Sequence, residues 1–138
     1  MSDQFEFHPV GLTRSQFDRL SEYADRAETI PPGQLLEEAR QHLEQTRQAH
    51  AANRMINVRL ASAIVDVIER VANAWDSLSA NHQTWLAAAM LYFSSCNDDE
   101  PDFDSPIGFE DDVEVLNSCL RLAGLNDLCL NSEDYDDA

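Results

Sequence analysis

Apolar residues recur along this chain three and four positions apart, and nowhere in a sustained alternation that would mark a strand. Phe17, Leu20, Ala24 and Ala27 follow the helical repeat behind Thr13 and Gln16, a pair of the type and spacing that makes a capping box. They predict a first helix over about 14–28, after an extended lead-in (1–12) that carries Pro9 and Gly11. Pro31-Pro32-Gly33 ends that helix and opens a second, since proline is tolerated in a helix's first turn. Leu35, Leu36, Ala39, Leu43 and Thr46 then share one side, with Glu37, Glu38, Arg40, Glu44 and Arg47 elsewhere. The second helix should therefore be amphipathic, lie on the surface and reach about Asn53.

From Asn57 to Trp75 the apolar arc widens. Leu60, Ile64, Val67, Ile68, Val71 and Trp75 form one face, extended by Val58, Ala61, Val65 and Ala72, which predicts a central helix with little solvent exposure. Asp76 to Ser79 is a turn with Ser79 as N-cap. The next helix, about 80–94, is apolar nearly all round and should be buried. A last long helix is expected over about 112–123, with Val113, Leu116, Cys119 and Leu120 inward and Gly124 closing it. Leu125 to Leu130 add one further turn.

Every proline and glycine falls between these segments or at their ends. The expected fold is all-α: a compact bundle of about five helices, with an acidic loop between the last two long ones. Residues 1–130 should form one helical domain, followed by an acidic, disordered tail at 131–138.

Composition changes this picture in one respect. The formal charge is −17, unevenly spread: residues 1–96 hold 12 acids and 8 arginines, whereas residues 97–138 hold 14 acids against Arg121 alone. A field of that sign repels nucleic acid and anionic membranes and attracts cations or basic protein surfaces. The longest apolar run, Trp85 to Phe93, is half of the roughly 18 residues that cross a bilayer. The first residues lack the basic and apolar regions of a signal peptide. Cys96, Cys119 and Cys129 are odd in number and without Cys-x-x-Cys spacing, so they read as reduced thiols packed as small hydrophobes. A cytoplasmic protein that does not insert into membranes or bind nucleic acid directly is the expectation.

Between Tyr92 and Asp112 every charged residue is a carboxylate, and Pro101, Pro106 and Gly108 keep the segment from forming one helix. Tyr92, Asp98, Pro101, Asp102, Phe103, Ile107, Gly108, Phe109, Asp111 and Asp112 match, without a gap, the pattern of the YkvA-type family of domains of unknown function. Residues 92–116 thus resemble that family, which implies a loop between two helices but no activity. Cys96 stands where the family has proline, and Asn97, Asp99, Glu100 and Asp104 stand where it has large apolar residues. Family members that look membrane-associated suit those apolar positions; this chain carries polar or charged residues instead.

Three roles are open to these residues. A structural one makes Asp111 and Glu114 an acidic capping box, places Asp112 in a helix's first turn and pins the loop to the core through Phe103, Ile107 and Phe109, with Tyr92, Pro101 and Gly108 also structural. A second has Asp98, Asp102, Asp111 and Asp112 hold calcium or magnesium, hard cations that take oxygen ligands. The spacing fails the EF-hand template, because Ser105 occupies the position that needs glycine. A third makes Asp98, Asp99, Glu100, Asp102, Asp104 and Glu110 a docking surface for a basic partner. No phosphate loop, metalloprotease motif or nucleophile elbow is present. His42 and His50, on one side of the second helix, read as solvated. A non-enzymatic acidic interaction or regulatory module is the leading expectation, a divalent-cation-binding domain the alternative, and a carboxylate-based hydrolase a third.

Overall fold

The computed structural model describes residues 9–52, 58–94 and 110–131, the side chains of Glu110 and Asp111 excepted. The described residues form an all-α bundle of five helices: α1 (Arg14–Ala27), α2 (Pro32–Ala52), α3 (Val58–Asn73), α4 (Ala80–Ser94) and α5 (Glu110–Leu122). Short 3-10 turns follow α3 at Trp75–Ser77 and α5 at Asn126–Leu128.

The helix ends are made by the residues their chemistry favours. Thr13 caps α1: its Oγ1 accepts from the Gln16 amide at 3.1 Å, and the Gln16 side chain accepts from the Thr13 amide at 2.9 Å. At the start of α2, the Pro31 carbonyl accepts from the Gln34 and Leu35 amides. Ser79 Oγ accepts from the His82 amide and so caps α4. α5 closes in a Schellman motif: Leu125 donates to the Leu120 carbonyl at 2.8 Å and Gly124 to that of Arg121 at 3.1 Å. That geometry requires Gly124 in the left-handed region, at φ +78°.

The packing is organised around α4, against which α1, α2 and α5 all lie. Its Ala87-Ala88-Ala89 run is buried, as are Ala24 and Ala27 of α1 and Ala39 of α2, and small residues let helix axes approach closely. Leu20, Leu35, Leu60, Ile64, Ile68, Leu86 and Leu120 complete the core. Each contributes about 1.5–3 kcal/mol by leaving water. Among the described elements α3 packs chiefly on α2, and its broad apolar arc is buried as expected, from Leu60 and Ala61 to Ile68 and Val71, while α4, with α1, α2 and α5 against it, takes the centre. The reason is compositional: alanine carries little hydrophobic signal, yet it admits neighbours on several sides.

Two boundaries differ from the sequence reading. α3 ends at Asn73, and Trp75 belongs to the 3-10 turn, where the Ser77 hydroxyl donates to the Ala74 carbonyl at 2.7 Å. α5 opens at Glu110, earlier than about 112, which puts Asp111 within its first turn rather than ahead of it.

Candidate functional site

The stretch singled out by its charge joins α4 to α5, two helices that pack on each other. Both of its anchors are buried. On α4, Tyr92 meets Tyr23 edge to face at 5.8 Å, and Phe93 meets His42 the same way at 4.8 Å. On α5, Asp112 and Val113 are buried, at 6% and 4% exposure. Glu114, the next residue, accepts from Gln16 Nε2 at 3.1 Å. The capping box of α1 is thereby tied to the first turns of α5. Ser118 donates its hydroxyl to the Val10 carbonyl and binds the lead-in to the same helix.

The Asp112 carboxylate lies in the first turn of α5, where the positive end of the helix dipole favours it. Tyr92 and Asp112 are thus placed in the folded body. Glu110 and Asp111 lie in the first turn of α5, with side chains outside the described residues. Asp98, Asp99, Glu100, Pro101, Asp102, Phe103, Asp104 and Gly108 also lie outside them, as does the 131–138 tail beyond Asn131. Among the described residues no three His, Cys, Asp or Glu side chains converge on a point that could hold a metal ion. Also among them, no helix is long and apolar enough to cross a membrane.

His42 corrects the reading of the second helix. It is 2% exposed, packed on Phe93 within the α2–α4 seam, and its carbonyl accepts from the Thr46 hydroxyl at 2.8 Å. His50, two turns later, is half-buried. The signal was present: Leu35, Ala39, His42 and Thr46 recur at i, i+4, i+7 and i+11, so His42 sits within the stripe that the apolar residues define. Cys119 is buried, and burial pushes its thiol well above the ordinary range. Cys129 is half-buried and directs its thiol at the Asn117 carbonyl, 3.7 Å away. Cys96 lies outside the described residues.

One concavity went unread in the sequence. A cleft of about 450 Å³ opens between the α1–α2 connection, the 3-10 turn after α3 and the first half of α4. Glu28, Ile30, Pro31, Pro32, Trp75 and Gln83 line it. Gln83 Nε2 donates to the Trp75 carbonyl at 2.8 Å, which fixes the turn to α4. Its walls come from segments far apart in the chain, so no local spacing announces it. In comparisons with known proteins, no family model, curated protein or solved structure matches this chain.

Proposed function

We propose that this chain is a non-enzymatic acidic interaction module that binds a basic protein surface through residues 97–112. The observation that carries the reading is the segregation of charge. Residues 1–96 are close to balanced, at −4, while the remainder carries −13, and no basic residue interrupts the acids between Tyr92 and Asp112. Charge of one sign gathered in one stretch steers and holds a partner of opposite sign, whereas interspersed charge of both signs serves solubility. Support also comes from the anchors: buried Tyr92, Phe93, Asp112 and Val113 fix both ends of the stretch to the core, so its docking would not require unfolding. Asp99, Glu100 and Asp104 are also positions where the chain differs from the YkvA-type pattern it resembles, with carboxylates in place of apolar side chains.

The test is calorimetric titration with an arginine- and lysine-rich peptide. Neutralising Asp99, Glu100 and Asp104 together should weaken binding about tenfold and flatten its salt dependence. Neutralising three exposed carboxylates of the bundle, Glu22, Glu37 and Glu44, should change it little. Equal loss from both triple variants would reduce the effect to net charge and defeat the proposal.

A further inference from the structure

The cleft beside Trp75 has a chemistry of its own, apart from residues 97–112. Its apolar lining includes Ile30, Pro31, Pro32 and Trp75. Among the described residues, Glu28 is the one acidic side chain that lines it, and no basic side chain does. Glu28 is also in an electrostatically awkward place. It is the C-cap residue of α1, beside the carbonyls that form the negative end of that helix's dipole, where a cation is favoured and a carboxylate disfavoured. The nearby cation of the last turn, Arg26, is held over the Tyr23 ring at 5.4 Å. Glu28 forms no ion pair with any described residue. Helix end and carboxylate therefore both supply negative potential at an aromatic and proline-lined cleft.

We propose that this cleft takes an arginine side chain presented by a partner's peptide segment. A guanidinium group is planar and weakly hydrated, stacks on indole and pairs with a carboxylate, while its methylene stem covers the proline rings. A lysine ammonium is a compact, strongly hydrated charge and profits less from that lining. The cleft volume falls within the roughly 300–1,000 Å³ usual for small-ligand sites and exceeds what one side chain fills, leaving room for flanking backbone. The inference does not depend on residues 97–112 binding anything.

The chain's two tryptophans make the test direct, because each gives one indole N–H resonance. Trp85 stacks on Phe17 at 5.7 Å in the α1–α4 seam and serves as an internal reference. On titrating the intact protein with acetyl-Gly-Arg-Gly-amide at constant ionic strength, the Trp75 signal should move saturably and the Trp85 signal should stay. The citrulline and lysine counterparts should bind at least about two- to fivefold more weakly. Glu28→Gln should lower arginine-peptide affinity by a similar factor with the Trp85 signal unmoved. Neutralising Asp99, Glu100 and Asp104 should leave the Trp75 response intact, which separates this site from the acidic stretch. Absence of saturable movement at Trp75, equal binding of the citrulline or lysine peptide, or indifference to Glu28→Gln would overturn the proposal.

Discussion

Gly124 and Gly33 are chemically the same residue in opposite conformational settings, and alanine at each should shift stability in opposite directions. Gly124 lies at φ +78°, and a Cβ built there meets nothing within 4 Å. The penalty for Gly124→Ala is therefore purely backbone: about 1–2 kcal/mol for a left-handed L-residue. The stiffer unfolded chain offsets about 0.4–1 kcal/mol of it. A net loss of about 1 kcal/mol follows, with the Leu120 and Arg121 carbonyls still capped if the Schellman turn persists. Gly33 sits in the first turn of α2 without a positive φ, and its added Cβ also meets open space. There the unfolded-state effect acts alone, and Gly33→Ala should gain about 0.5 kcal/mol. Gly124→Asn should fall between glycine and alanine, because asparagine tolerates the left-handed region. Urea denaturation followed by circular dichroism reads all three as shifts in midpoint at constant slope. A neutral or stabilising Gly124→Ala would refute the cap geometry at the end of α5. A changed slope would mean that the residues after Gly124 had come away from the bundle.

Other measurements probe different parts of the molecule. Thr13→Ala removes the acceptor of the Gln16 amide and should cost about 1 kcal/mol by thermal or urea unfolding, while Thr13→Ser should cost little. Asn117 holds Leu130 by both backbone groups, donating to its carbonyl at 2.7 Å and accepting from its amide at 2.8 Å. Asn117→Ala should speed hydrogen exchange at the Leu130 amide and expose Cys129 to thiol reagents, with Cys119 still the slower of the two to react. Burial raises the Cys119 thiol, so its contribution to stability is present below the ordinary thiol pKa of about 8.5 and is lost as pH rises above it, where the unfolded chain ionises first. Cys119→Val should flatten that alkaline decline; an unchanged pH profile would refute the assignment. Calcium or magnesium at low millimolar concentration should raise the melting temperature no more than sodium chloride of matched ionic strength; a larger rise would favour a cation held by Asp98, Asp102, Asp111 and Asp112.

The helices were legible because each carries its own start and stop. Thr13 with Gln16, Pro31-Pro32, Ser79 and Gly124 are local signals, made by side chains or dihedrals within a few residues of the position they mark. What escaped was set by partners distant in the chain. Histidine is polar on any scale, so His42 reads as solvated until Phe93 is known to face it. α4 reads as one buried helix among two, because three consecutive alanines do not say how many neighbours they admit. Gln16 announces its bond to Thr13 but not the one to Glu114, 98 positions away in sequence. The cleft at Trp75 is non-local in the same way: Glu28, Trp75 and Gln83 acquire a shared chemistry only once the bundle is assembled.

The pairing of α1 with α4 has a bearing on how the chain is made. As the polypeptide leaves the ribosome, α2 and α3 can zip together as a local hairpin, but the apolar face of α1 has no mate until residue 94 has emerged. The ties from Gln16 and Val10 must wait longer still, for Glu114 and Ser118. A nascent chain arrested before α4 would thus expose Leu20, Tyr23 and Ala24, a sticky stripe of the kind that holdase chaperones shield. Arrest between α4 and α5 would cover that stripe and leave the other flank of α4 bare, so vulnerability to aggregation should fall in two steps as synthesis proceeds.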